Sequence, residues 1–167
     1  MTPRRLVVCY SDTGHSAAAA RFVAEALKAE IEMLAAPGLK PGRWGFFLRA
    51  LGAVLRRPAR LAPLRHDPAD FETIVLCGPV WASNLATPLR GYLKTVERHL
   101  PKIRAVALTY SGSGAPKALK AMRELIGDPV DMIAISDAER RSGKDEAELR
   151  RLVARVLAAE QATPPAR

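Results

Sequence analysis

Residues 6–16, LVVCYSDTGHS, restrict the choice of fold more than any other stretch of the chain. Leu6, Val7, Val8, Cys9 and Tyr10 form a short, nearly all-apolar run, the pattern of a strand covered on both faces. Ser11-Asp12-Thr13-Gly14-His15-Ser16 follows, and then Ala19, Phe22, Val23, Ala26 and Leu27 recur with the spacing of one helical stripe. A hydroxyl-rich loop therefore joins a buried strand to the start of a helix. There the first backbone N–H groups lack intrahelical partners and the helix dipole is positive. A phosphate placed at that point would accept those N–H bonds, with hydroxyl donors from Ser11, Thr13 and Ser16. The loop also reads as a plain turn with Ser11, Asp12 or Thr13 capping the helix. No Gly-Lys-Ser/Thr closes it, and it lacks the G-x-G-x-x-G of dinucleotide sites, so a single phosphate monoester suits it best.

The rest of the chain repeats this alternation. Residues 31–34 suit a short second strand. Residues 71–78, FETIVLCG, read as a third strand buried on both faces around Thr73 to Cys77. Pro79-Val80-Trp81-Ala82-Ser83-Asn84 reads as a loop, and Thr87-Pro88 opens a helix to about Arg98 with Leu89, Leu93, Val96 and Leu100 on its stripe. A fourth strand, residues 103–109, runs into Tyr110-Ser111-Gly112-Ser113-Gly114. Pro116 then opens a helix with Leu119, Met122, Leu125 and Ile126 on one face. A fifth strand at 130–135, a charged turn at 137–144 and a helix with Leu149, Leu152, Val153, Val156 and Leu157 inward complete the pattern. Strand and helix in strict succession demand crossover connections, hence a parallel sheet with helices on both faces, a three-layer αβα sandwich. Ligands of such sheets bind beyond the carboxyl ends of the strands, where the three loops lie.

Length suits one domain over residues 1–161, with a frayed, proline-rich tail at 162–167. Cys9 and Cys77 sit inside apolar strand runs without C-x-x-C spacing, so buried inert thiols in a reducing compartment are expected. The apolar run after Arg4 and Arg5 is too short for a signal-peptide core, and no stretch approaches a membrane span. A cytoplasmic protein is the expectation. Of the net charge of +9, seven positive charges fall in residues 37–66: Lys40, Arg43, Arg49, Arg56, Arg57, Arg60 and Arg65, with no acidic residue among them. Within this segment Trp44, Phe47, Leu48, Leu51, Val54 and Leu55 share one helical face and Arg49 and Arg56 the other, with Pro58 as the stop. Such a helix suits a cover for one sheet face, a helix lying on a membrane surface, or a wall of the site or of a homodimer contact. The charge would attract an acidic protein or an anionic membrane surface through residues 43–65. No nucleic-acid motif accompanies it.

On its three loops the chain resembles the flavodoxin-like family, whose members bind FMN without covalent attachment. Ser11-Asp12-Thr13-Gly14-His15-Ser16 is similar to the family's phosphate loop, with His15 where Asn is usual. Gly78-Pro79-Val80-Trp81, running on through Ala82 to Asn84, resembles the loop whose aromatic residue packs on the flavin. Tyr110-Ser111-Gly112-Ser113-Gly114 resembles the loop along the isoalloxazine ring. The resemblance implies a five-stranded parallel sheet in the order 2-1-3-4-5 and FMN contacts from these three loops. It further implies an oxidoreductase that takes electrons from NAD(P)H or a redox partner and passes them to a quinone-like acceptor. An electron carrier without a substrate pocket, and a binding module that keeps the fold without flavin, are the alternatives. Two features depart from the family: electron-carrier members are typically acidic, and residues 37–66 stand as a longer basic insertion in the second-helix region. Flavin chemistry requires no side-chain acid, base or nucleophile, and the sequence offers no triad or metal cluster.

Overall fold

The structure, a computed structural model, describes residues 3–39 and 42–162. Lys40, the side chain of Arg43 and residues 163–167 of the expected tail lie outside the described residues. The strands are β1 (Arg5–Cys9), β2 (Glu30–Met33), β3 (Thr73–Trp81), β4 (Asn84–Leu85), β5 (Ile103–Tyr110) and β6 (Asp131–Ser136). The helices are α1 (His15–Leu27), α2 (Gly42–Val54), α3 (Thr87–Thr95), α4 (Ala115–Ile126), α5 (Asp137–Arg141) and α6 (Asp145–Ala162). Thus Ala162, expected to fray, closes the last helix.

The main sheet runs β2-β1-β3-β5-β6, every neighbouring pair parallel. This is the expected five-strand order once the two-residue β4 is set aside. Leu6 to Cys9, Ile74 to Cys77 and Ala105 to Leu108 are all buried, as both-face coverage of central parallel strands requires. One face packs against α1 and α6 through Val23, Leu27, Leu152 and Val156. The other packs against α3 and α4 through Leu89, Tyr92, Ala118 and Met122. Each fully buried aliphatic side chain contributes about 1.5–3 kcal/mol.

Helical faces differ from expectation in detail. Ala20 and Ala24, not Ala26, are buried on α1, and Phe22 is only half-buried. On α4 the buried positions are Ala115, Ala118, Ala121 and Met122, while Leu125 is exposed. Small residues bring these helices close to the sheet. The expected helix to Arg98 ends at Thr95 and passes into a 3₁₀ segment, Glu97–Lys102.

The larger corrections concern residues 37–84. Residues 79–84 are no open loop: β3 continues to Trp81 and pairs antiparallel with β4, Val80 with Leu85 and Trp81 with Asn84. Ala82 and Ser83 make the connection, both left-handed at φ 47° and 60°, as a two-residue hairpin turn that follows strand twist requires. Helix α2 does not cover a sheet face with its apolar stripe. Trp44, Phe47, Leu48, Leu51, Val54 and Leu55 are all exposed, and Gly45 and Ala53 are buried instead. The chain leaving α2 crosses α3, where the Ala59 N–H donates to the Thr87 carbonyl. A Cβ on Gly91 would stand 2.3 Å from the Ala59 carbonyl oxygen, so only glycine lets the two segments touch. The segment is then tied to β2: buried Glu32 accepts from the backbone N–H groups of Arg65 and His66 and lies 2.8 Å from His66 Nδ1.

Candidate functional site

At the carboxyl ends of β1, β3 and β5, the three loops close around a cleft of about 470 Å³. Its position is the point where the chain, after placing β2 on one side of β1, places β3 on the other. Open α/β sheets bind ligands at such a point, and the volume falls within the ~300–1,000 Å³ of small-molecule sites.

The first wall is the β1–α1 loop. Gly14 takes a left-handed conformation (φ 90°) immediately before α1, and no side chain caps the helix. Ser11 turns inward instead, its Oγ accepting from the Gly14 N–H at 3.1 Å. The α1 N-terminus therefore keeps its partial positive charge and free donors beside the cleft. Thr13 lines the cleft, and Ser16, buried, exchanges a 2.6 Å hydrogen bond with the Thr109 hydroxyl at the end of β5.

The second wall is the β3–β4 hairpin, which presents Pro79, Val80, Trp81, Ala82 and Ser83. Tyr10 meets the Trp81 ring edge-on with centroids 5.5 Å apart, and the Arg49 guanidinium lies 5.5 Å from the Trp81 centroid. Arg49 Nη1 also donates to both Asp12 carboxylate oxygens, at 2.9 and 2.8 Å. Burial, and secondarily the Asp12 charge, raise the Tyr10 phenol above its ordinary pKa. One arginine from α2 thus ties the first loop to the second and offsets the Asp12 carboxylate.

Tyr110, Ser111, Gly112 and Ser113 form the third wall. A Cβ on Gly112 would meet nothing within 4 Å, so open space adjoins this residue of the cleft lining. Gly114 is different. At φ 97° a Cβ there would lie 2.1 Å from Ser83 Oγ, so glycine lets the hairpin and the third loop pack together. Asp137, the first residue of α5, closes the floor. A hydrogen bond from Ser111, then the charges of His15 and Arg140, hold its carboxyl below the usual range against the opposing effect of burial. His15 Nδ1 lies 3.3 Å from Asp137 Oδ1.

No family model matches the sequence, and no curated protein matches it. Solved structures do. A flavoprotein from Lactobacillus acidophilus, crystallised in complex with FMN, is 18% identical over 84% of this chain and 97% of its own, with a TM-score of 0.64. A flavodoxin, WrbA-like protein from Agrobacterium tumefaciens is 13% identical over 96% of this chain and 99% of its own, at 0.58. An NAD(P)H:quinone oxidoreductase from Methanothermobacter marburgensis is 11% identical over 92% and 95%, at 0.52. The fold is flavodoxin-like.

Within this flavodoxin-like fold, most of the residues singled out from the sequence meet at one cleft: Asp12, Thr13, His15 and Ser16, then Pro79 to Ala82, then Tyr110 to Ser113. Four do not line it. Ser11 and Gly14 shape the first loop from behind, and Gly114 is spent on the contact with Ser83. Asn84 is buried, its Oδ1 accepting from Arg90 Nη2 at 2.7 Å. Sequence reading missed Arg49, Ala50, Ser83, Thr109 and Asp137, which line the cleft from α2, the hairpin turn, β5 and α5. Arg49 had a faint signal, as the arginine opposite the apolar stripe; Asp137 had none. Cys9 and Cys77 are free, buried register partners on β1 and β3. Burial pushes the Cys9 thiol up to about 12 and the Cys77 thiol well above its ordinary range, so neither supplies a thiolate. Among the described residues no His, Cys, Asp and Glu cluster is fit to hold a metal ion.

Proposed function

We propose that the cleft binds FMN and that the protein is an oxidoreductase passing electrons from NAD(P)H or a redox partner to a quinone-like acceptor. One observation carries the reading: an uncapped helix N-terminus, the Trp81 indole and a loop with open space at Gly112 border a single cleft at the switch point of a parallel sheet. These residues fit the cofactor. The α1 N-terminus and the Thr13 hydroxyl suit the phosphate. Trp81 suits a flat ring, which aromatic side chains meet by offset stacking. The open space at Gly112 admits ring edges to within reach of backbone donors. When bound, FMN supplies the electron-transfer chemistry, and the protein supplies position and electrostatics.

Each residue then has a definite task. Arg49 neutralises Asp12 so that the first loop tolerates a dianion. Asp137, kept ionised by Ser111, lies 3.3 Å from His15 Nδ1 at the start of α1 and gives that side chain an anionic neighbour. The Ser16–Thr109 hydrogen bond fixes the loop to β5. Of the similar structures, one was crystallised in complex with FMN and one is an NAD(P)H:quinone oxidoreductase, which supports this reading.

The test is an absorbance spectrum of the purified protein, then titration with FMN and with riboflavin, read through tryptophan emission. Saturable quenching by FMN and much weaker quenching by riboflavin are expected, since Trp81 reports the ring and α1 the phosphate. A colourless protein whose emission ignores FMN would refute the reading and leave a flavin-free binding module. The local excess of arginine favours one other assignment, an electron carrier that docks an acidic partner. Steady turnover of NAD(P)H with a small quinone separates the two, because only the oxidoreductase sustains it.

A further inference from the structure

Helix α2 has two faces with opposite assignments. Its inner face, Gly45, Arg49 and Ala53, serves the cleft and the sheet end, and a Cβ on Gly52 would stand 3.2 Å from Thr87 Cγ2. Its outer face is a row of Trp44, Phe47, Leu48, Leu51 and Val54, continued by Leu55 just beyond the helix, exposed by 42 to 80%. Only two other large apolar side chains among the described residues, Met33 and Leu125, are comparably exposed. A chain with an ordinary core has no need to leave six such groups together in water, and patches of this kind mark contact surfaces.

The charge around the row says what it contacts. Arg56 and Arg57 emerge where α2 ends, their N–H groups bonded to the carbonyls of Ala53 and Gly52, and Arg60 follows. All three are exposed, and among the described residues none forms an ion pair. A second copy is a poor occupant: an isologous contact presents the same patch again, and residues 37–66 hold no acidic side chain to offset the arginines. The row stands on the crest of one helix, with an indole near its start and arginines at its end. That is the pattern of a helix lying in a lipid headgroup layer, its apolar side sunk ~5–10 Å and its cations among anionic heads. No described helix is long and apolar enough to cross a membrane, so the contact is peripheral. We propose that the outer face of α2 docks this protein on an anionic lipid bilayer, whatever the cleft holds.

The experiment is co-sedimentation of the full chain with vesicles of phosphatidylcholine alone and of phosphatidylcholine mixed with an equal part of phosphatidylglycerol. Binding to the mixed vesicles is expected, with weak binding to the neutral ones and a blue shift of Trp44 emission. Each of Arg56→Gln, Arg57→Gln and Arg60→Gln should weaken it about fivefold, and Leu51→Glu should abolish it. Because Leu51 is exposed, Leu51→Glu should leave the melting temperature unchanged; a large fall would place the row in a packed contact and overturn the proposal. So would absence of binding to either vesicle. Binding that ignores the arginine substitutions would likewise overturn it. A dimer in light scattering that Leu51→Glu dissociates would assign the row to a second copy instead. None of these readouts requires FMN.

Discussion

Arg49 settles the charge of the first loop. Without it, the Asp12 carboxylate would stand beside the site proposed for a phosphate dianion. Arg49→Ala should therefore weaken FMN at least about tenfold, since hydrogen bonds to charged groups contribute ~1.5–3 kcal/mol. Adding Asp12→Asn should restore most of that loss. Titration of the single and double variants checks it, and equal loss in both would make Arg49 a direct phosphate ligand. Thr13 differs because its hydroxyl has no partner among the described residues that competes with a ligand. Thr13→Ala should raise the FMN dissociation constant about 10- to 100-fold and leave riboflavin binding unchanged. Of these two residues, Thr13 was legible in the sequence because it lies within a local motif. Arg49 was not: its partner Asp12 lies 37 positions away, and periodicity says which residues share a face without saying what the face meets.

Elements are held in register by a few contacts that chain neighbours do not foreshadow. Arg5 on β1 donates through Nε and Nη2 to Glu160 near the end of α6, and Thr73 on β3 donates to the same carboxylate at 2.6 Å. Arg5 Nη1 also reaches the Leu27 carbonyl at the end of α1. Burial opposes ionisation of Glu160, but the Arg5 and Thr73 hydrogen bonds outweigh it and hold the carboxyl below its ordinary pKa. Its contribution is therefore complete above the ordinary glutamate range and is lost as pH falls through the depressed folded value. Glu160→Gln should cost about 3 kcal/mol at neutral pH. In denaturant titrations the gap to the parent should close across that acidic window; a pH-independent gap would rule out the charge as its cause. Gly91→Ala should destabilise by about 1–3 kcal/mol, because its Cβ would strike the Ala59 carbonyl and lift the chain that follows α2. Thermal melts of this variant should show the loss with or without FMN. The Ala82-Ser83 hairpin was illegible for a related reason. It lacks the Asn-Gly signature of such turns, and the neighbouring Gly114 accommodates its shape from another part of the chain.

Over the whole molecule, a ligand that binds only the folded chain raises its stability by mass action. FMN at about 100 times its dissociation constant should add ~2.7 kcal/mol and shift the melting temperature upward by about 5–10 °C. Calorimetry with FMN and with riboflavin checks this, and equal shifts would remove the phosphate from the account. The fold itself was readable from local pattern. All-apolar runs alternating with helical stripes call for a parallel sheet covered on both faces, and five strands, too few to close a barrel of the β/α kind, leave an open sheet between two helical layers. The three loops beyond the strand ends were readable for the same reason, since alternation places each one at the same edge. Tertiary packing decided the rest. It buried Ala20 and Ala24 rather than Ala26 on α1 and alanines rather than Leu119 and Leu125 on α4, turned the apolar row of α2 to the outside, and brought Arg49 and Asp137 into the cleft. Periodicity determines that a helix has an apolar side. Only the volume left between packed elements decides which way that side turns, and beside the cleft it admitted Gly45, Ala53 and one arginine.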